Sequence, residues 1–218
     1  MFTLSIDNFI ARYSQRDPGL NSSTSNGLRS LLGFMAQSPD LADPRWAAYM
    51  LATVKHECAN QWQPIEESGK GAGQPYGQPV TVTAPDGTTY VNTYHGRGYV
   101  QLTWQSNYHS LGQALGLGDS LLLQPKLALE PQTAYAIMSF GMRNGTFTGK
   151  GLNNYINGPR CDYFNARRII NGLDQAALIR GYAESFETLL NASITTAERA
   201  APATPLPSLT AGATGSGS

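Results

Sequence analysis

The sequence has few charged residues and no surplus of either sign. Only 14% of its 218 residues are charged, with 15 basic and 15 acidic side chains, whereas an average soluble domain has roughly 25%. The densest basic cluster is the pair Arg167 and Arg168. A protein held to nucleic acid or to an anionic membrane by bulk charge would carry a basic patch, so we expect neither of these partners.

Cysteine is also scarce. Cys58 and Cys161 are the two cysteines, and neither lies in a CxxC pair or at a metal-ligand spacing, so we expect free thiols in a reducing compartment. His56 and Glu57 begin like an HExxH zinc motif, but residue 60 is an asparagine and the second histidine is missing. The sequence therefore predicts no metal and no cofactor.

Long apolar runs are missing as well. Asp7, Asn8 and Arg12 interrupt the amino-terminal segment where a signal peptide would need an apolar stretch. No later run approaches the roughly 18 apolar residues that a spanning helix needs. We therefore expect synthesis in the cytoplasm without a signal peptide, and no stable membrane insertion.

The apolar and aromatic content is nevertheless sufficient for a core, since 41% of the residues are hydrophobic and 10% are aromatic. Residues 1–194 show no linker-like interruption, and their length suits one domain. Residues 195–218 consist mainly of Ala, Thr, Pro, Gly and Ser, a composition that cannot repay the entropy of ordering. We expect a low-complexity, disordered carboxy-terminal tail there.

Helical periodicity dominates the rest of the chain. Asp43 followed by Pro44 is typical of a helix start, and Asp162 and Asp174 are natural caps for two later helices. Residues 80–83 and 89–92 instead alternate with a period of two around Pro85-Asp86-Gly87, which predicts a β-hairpin. The fold class is therefore α+β, predominantly helical, with a small β lobe. Helices are predicted near residues 6–13, 28–35, 44–59, 104–117, 131–144, 162–170 and 174–191.

Three of the seven glutamates fall within eleven residues of one another. Glu57 ends the most apolar predicted helix, an environment that favours the protonated form of a carboxyl group. Glu66 and Glu67 precede a glycine-rich loop at residues 68–73, where a carboxylate is expected to stay ionised. One protonated and one ionised carboxyl group across a cleft is the arrangement that glycoside hydrolysis requires.

The segment 94–108 concentrates aromatic, amide, hydroxyl and guanidinium groups around Gly96 and Gly98. Glycine lets the backbone come close to a ligand, and sugar sites combine aromatic faces with planar polar groups. The same residues would also suit a tight strand-to-helix turn with core aromatics. Both interpretations remain open from the residues alone.

Three segments carry a resemblance to a known family. HGRGYVQLTWQSNY at residues 95–108 is similar to the signature of the family 19 glycoside hydrolases, found in chitinases and phage endolysins. His56-Glu57 resembles the family's HE motif, and the stretch 169–172 (IING) contains its late ING motif. The match spans residues 47–186, and the stretch 55–77 is closer to the phage and prophage endolysin-like branch. The resemblance implies a lysozyme-like fold and hydrolysis with inversion.

The resemblance also implies roles for individual residues. Glu57 matches the general acid, and we prefer Glu67 as the general base, with Glu66 as a solvated neighbour. Thr103 matches the hydroxyl that helps hold the attacking water, whereas Arg180 matches the expected late arginine only with a shift of one position. An inverting site predicts carboxyl groups about 6.5 to 9.5 Å apart. Gln101, Asn107 and Asn171 match substrate-binding amides, and Tyr94 and Arg97 match structural or substrate-binding positions.

The resemblance implies a peptidoglycan hydrolase: an endolysin of muramidase type that cuts β-1,4 bonds of the bacterial cell wall. It would act as a monomer in the periplasm after release through a holin-type pore. A chitinase that hydrolyses poly-GlcNAc is the second interpretation, since its catalytic residues would be identical. An inactive sugar-binding, wall-anchoring domain is the third, and the presence of both carboxylates and Thr103 counts against it.

Overall fold

The computed structural model describes residues 3–39 and 43–195. These residues contain seven α-helices, and eight short strands that pair two by two. The helices are α1 Ile6–Ser14, α2 Ser22–Gln37, α3 Pro44–Glu57, α4 Gln105–Ala114, α5 Ser120–Leu123, α6 Pro131–Asn144 and α7 Ala176–Asn191. The strands are β1 Thr3–Leu4, β2 Ile65–Glu66, β3 Val80–Thr83, β4 Thr89–Asn92, β5 Arg97–Gly98, β6 Ile156–Asn157, β7 Arg160–Cys161 and β8 Ile194–Thr195.

Helix α3 lies at the centre of the core and packs mainly against α7. The Asp43 side chain caps it by accepting from the Arg45 amide, and Pro44 occupies the first turn, as the sequence predicts. All residues from Ala47 to Val54 are buried. Because its middle is fixed on every side, α3 holds Glu57, its last residue, in a defined place.

The later predicted helices are only partly right. The 162–170 prediction becomes a 3-10 segment, Asn165–Ile169, preceded by Asp162, whose carboxylate accepts from the Asn165 amide at 3.0 Å. The predicted cap Asp174 is wrong, because α7 begins after Gln175, which has a left-handed φ of 57°. Helix α5 and the 3-10 segments Pro75–Gly77, Pro125–Leu129 and Leu152–Asn154 were not predicted.

The strands form four separate antiparallel pairs. The predicted hairpin is present as β3 and β4, with Thr83 opposite Thr89. Strand β2 pairs with β5, setting Ile65 opposite Gly98 and Glu66 opposite Arg97. This second pair joins the glutamate-rich segment to the segment 94–108.

The two ends of the described chain meet through β1 and β8. No helix in residues 3–39 and 43–195 has the length and apolar character to cross a membrane. The predicted tail lies outside the described residues from position 196 onward, so its boundary stays a prediction.

Candidate functional site

The β2–β5 pair fixes Glu67 in place. The Glu67 amide donates to the Gly96 carbonyl at 2.8 Å, and the Gly96 amide donates to Glu67 Oε2 at 2.9 Å. The Tyr76 hydroxyl donates to the other carboxylate oxygen at 3.1 Å. A Cβ at Gly96 would lie 2.8 Å from Gln101 Oε1 and 3.3 Å from Glu67 Cβ. Glycine at position 96 therefore allows Glu67 and Gln101 to approach the same stretch of backbone.

Tyr76 connects Glu67 to a concave surface on the motif segment. Its ring packs edge-on against Trp104, with 5.3 Å between ring centroids. Trp104 has a left-handed φ of 72° and is 47% exposed, which is unusual for so large an apolar side chain. It borders a cavity of about 220 Å³ whose walls also include Gln101, Thr103, Asn107, Phe147 and Ile170. This cavity brings together three of the predicted site residues.

Two of those residues are held by backbone contacts. Gln101 has a left-handed φ of 53°. Its side-chain Nε2 donates to the carbonyls of Ile65 and Gly98, each at 3.2 Å. Asn107 donates to the Thr103 carbonyl at 2.9 Å. These contacts fix the cavity wall beside β2 and β5 before any ligand arrives.

Glu57, the last residue of α3, is held by a buried arginine. Its carboxylate accepts from Arg167 Nη1 at 2.6 Å, and the Arg167 side chain is 3% exposed. Arg167 Nε donates to the Asp174 carbonyl at 3.0 Å, which anchors the guanidinium. The apolar helix is therefore only part of the environment of Glu57, because a buried cation also contacts it. Arg167 precedes Ile170, a wall of the Thr103 cavity, by three residues.

Cys58, directly after α3, contacts the backbone at β5. Cys58 Sγ lies 3.8 Å from the carbonyl oxygens of Gly98 and Tyr99. Burial, reinforced by the negative charge of Glu57, raises the pKa of the Cys58 thiol to about 12. The thiol stays protonated at neutral pH, so Cys58 is a packing residue rather than a nucleophile.

The structure corrects the expectation that Glu66 is a solvated neighbour. Its Oε1 lies 2.8 Å from His95 Nε2 and 3.1 Å from Arg97 Nε, and both partners are buried. Burial alone would raise the pKa of Glu66, but the His95 hydrogen bond and the Arg97 charge outweigh it and lower that pKa. Glu66 therefore holds the 95–97 turn together on the face of β2 away from Glu67.

Tyr94 and Arg97, predicted as structural or substrate-binding residues, are both buried. Tyr94 is 1% exposed, and its hydroxyl donates to the Leu122 carbonyl at 3.0 Å. Arg97 is 4% exposed and donates to the Thr93 carbonyl at 3.0 Å and to the Tyr108 hydroxyl at 3.2 Å. These contacts support the motif segment from inside and favour the structural role for both residues.

The remaining predicted residues lie on the surface. Asn171 is exposed and follows Ile170 at the cavity wall, with its side-chain oxygen accepting from the Gly172 amide at 2.8 Å. Arg180 is exposed and pairs with Glu184 at 3.6 Å, so it does not contact Glu57. Arg167 is the arginine that sequence reasoning missed. The only signal for it was a double arginine in a chain poor in charge.

No family model matches the sequence, and no curated protein matches it. Solved structures do resemble it. Chitinase C from Streptomyces griseus HUT6037 is 24% identical, with a TM-score of 0.56 over 86% of this chain and 76% of its own. A bacterial family 19 chitinase is 27% identical, with a TM-score of 0.52 over 86% of this chain and 94% of its own. The chain has the lysozyme-like α+β fold of the family 19 chitinases.

Proposed function

We propose that this protein is a glycoside hydrolase that cleaves β-1,4 bonds of peptidoglycan by acid and base catalysis. The observation that carries the proposal is that both carboxyl groups are tied to segments that wall one polar cavity. Glu67 binds Gly96 of the segment whose Gln101, Thr103 and Asn107 line that cavity. Glu57 binds Arg167, three residues before Ile170, which also lines the cavity. Two carboxyl groups anchored in this way suit an acid and a base acting on a glycosidic oxygen and a water.

Glu57 acts as the general acid in this scheme. It gives a proton to the leaving oxygen and becomes a carboxylate. Arg167, 2.6 Å away and anchored by Asp174, then stabilises the new negative charge without having to move. The buried guanidinium thus favours the carboxylate that follows proton transfer, so Glu57 has to take up a proton against this ion pair before each turnover.

Glu67 acts as the general base, and Thr103 helps to hold the attacking water. The donors at Tyr76 and Gly96 fix both oxygens of the Glu67 carboxylate, so the base does not have to find its orientation during the reaction. Attack from the face opposite the leaving oxygen inverts the anomeric carbon. The separation of about 6.5 to 9.5 Å between the two carboxyl groups remains a prediction of this mechanism.

Trp104 is the best candidate for a sugar platform. An exposed indole beside a polar cavity offers an apolar face to the C–H surface of a pyranose. Gln101, Asn107 and the exposed Asn171 supply amides around it. Polysaccharide binding would then rest on cleft contacts rather than on bulk charge.

Chitin is the second candidate substrate, because the solved structures with this fold include chitinases. Mass spectrometry of digested peptidoglycan decides between them through the sugar at each new reducing end. N-acetylmuramic acid at that end supports a muramidase, whereas release of oligomers from chitin alone would make the protein a chitinase.

An inactive sugar-binding domain is the third candidate, and two variants test it. Glu57→Gln and Glu67→Gln keep the side-chain shapes but remove the acid and the base, so each should lower turnover by a factor of about 10² to 10⁴. Tyr90→Phe, on the exposed hairpin strand β4, is the matched control and should leave turnover unchanged. Unchanged turnover in both glutamine variants would refute the catalytic assignment.

We also propose that residues 1–194 form the catalytic domain of an endolysin that acts as a monomer on the cell wall. The endolysin-like stretch 55–77 supports this role. Lysis of cells when the protein is expressed together with a holin, and none when it is expressed alone, is the expected result. Lysis that does not depend on the holin would contradict the proposed route of release.

A further inference from the structure

A second and larger cavity lies on the face of β2 away from Glu67. Its volume is about 540 Å³, and the Glu66 network forms part of its wall. Two exposed lysines, Lys70 and Lys126, also line it. We call this cavity the lysine pocket; its charged and titratable lining residues are Glu66, Lys70, His95, Arg97 and Lys126.

The lysine pocket has an excess of positive charge in a protein that is neutral overall. The whole sequence has only four lysines, and two of them line this one cavity. Glu66 is the one carboxylate among the lining residues, and it already binds Arg97 at 3.1 Å and faces Lys70 at 3.6 Å. Three cations against one carboxylate leave the pocket able to accept a further anion.

The lysine pocket is physically joined to the catalytic base. The Lys70 amide donates to the Glu67 carbonyl at 3.0 Å, closing a turn that carries Lys70 back over Glu66. Glu66 and Glu67 are consecutive residues on and just after β2, so the pocket and the catalytic cavity share one strand. A polysaccharide seated beside Glu67 would lie next to the strand whose Glu66 lines the pocket.

We propose that the lysine pocket binds the carboxylates of the stem peptide of peptidoglycan. The inference rests on the proposed function and narrows its substrate. A chitin chain is uncharged and would leave both lysines without a ligand. The stem peptide, attached to the muramic acid lactyl group, carries the carboxylates of its D-glutamate and terminal residues, and lysine ammonium groups bind carboxylates through charge-assisted hydrogen bonds.

Peptide binding tests the inference without requiring catalysis. The probe is a synthetic tripeptide of alanine, γ-linked D-glutamate and diaminopimelate, added to the full-length protein and followed by NMR titration. The Lys70→Gln/Lys126→Gln double variant should weaken its binding about tenfold, since each exposed pair supplies a modest contribution. The Lys70→Arg/Lys126→Arg variant should keep the affinity, and Lys150→Gln, at an exposed site outside the pocket, is the matched control.

Ionic strength supplies a readout that a merely structural role would not move. Raising salt from about 0.15 M to 1 M shortens the Debye length from about 8 Å to 3 Å. The affinity of the wild type for the tripeptide should therefore fall, whereas the affinity of the double glutamine variant should be almost the same at both salt concentrations. Equal salt dependence in the two proteins would overturn the inference.

Hydrolysis then separates this inference from the proposed function. The double glutamine variant should lose about tenfold in kcat/KM on intact peptidoglycan and nothing on glycan strands stripped of peptide by an amidase. Equal losses on both substrates, or no tripeptide binding by the wild type, would overturn the inference. If the wild type cleaves neither glycan, the proposed function is refuted. Tripeptide binding would still show whether the lysine pocket binds the stem peptide.

Discussion

Replacing Arg167 with methionine should destabilise the protein strongly, because it leaves the Glu57 carboxylate without its cation. The two side chains are 3% and 16% exposed and lie 2.6 Å apart. Removing one partner of such a buried pair costs about 3 to 5 kcal/mol. The lost hydrogen bond from Arg167 to the Asp174 carbonyl contributes about 1 kcal/mol more. We therefore expect unfolding free energy to fall by about 4 kcal/mol or more.

A double-mutant cycle isolates the pair from other effects. Glu57→Gln alone leaves Arg167 buried without a counter-charge and should also destabilise. In the double variant neither charge remains unpaired, so its loss should be smaller than the sum of the single losses by about 2 to 3 kcal/mol. Urea denaturation of the four proteins provides the free energies.

Arg168 provides the matched control for this cycle. It is the neighbouring arginine and is exposed, so Arg168→Met should change stability by no more than about 0.5 kcal/mol. Single losses that add within about 0.5 kcal/mol would show that Glu57 and Arg167 are not energetically coupled. That result would remove the role assigned to Arg167 in stabilising the Glu57 carboxylate.

Three further predictions follow from other contacts. Trp104→Ala should raise KM for glycan oligomers about five- to tenfold with little change in kcat; steady-state kinetics showing a loss confined to kcat would contradict a platform role. Gly98→Ala should destabilise by about 1 to 3 kcal/mol in urea denaturation, because Gly98 has a φ of 87° and its Cβ would meet the Ala128 carbonyl at 2.8 Å; an unchanged midpoint would refute this. Burial opposes ionisation of Asp17, but bonds from Lys55 at 2.7 Å and from Tyr13 lower its pKa to about 2. Its stabilisation, up to about 2 kcal/mol, is present above the unfolded pKa near 4 and lost as pH falls through 2; acid denaturation of Asp17→Asn should lack this loss, and a midpoint shift equal to that of the wild type would contradict it.

Local signals account for the elements that the sequence predicted well. Asp43 and Pro44 specify the start of α3 through backbone groups within one turn, and the period-two alternation around Pro85-Asp86-Gly87 specifies the β3–β4 hairpin. In both places the residues that specify the element lie within it or directly beside it in the sequence. Asp174 failed as a cap because Gln175 adopts a left-handed conformation that composition does not indicate.

The site was harder to predict because its chemistry depends on contacts between distant segments. Arg167 meets Glu57 across 110 positions, and nothing local indicates which of two consecutive arginines points inward. Glu66 and Glu67 are identical in type, and the pairing of β2 with β5 is what directs one to His95 and Arg97 and the other to Gly96. Motif position likewise does not reveal depth, so the sequence leaves a structural and a substrate-binding role open for Tyr94 and Arg97, which are buried.

The anomeric form of the first product tests the central claim most directly. Proton NMR during early hydrolysis of a β-1,4-linked glycan should show the α-anomer at the new reducing end before mutarotation, because water attacks from the face opposite the leaving oxygen. Initial formation of the β-anomer would contradict an inverting reaction in which Glu57 acts as acid and Glu67 as base.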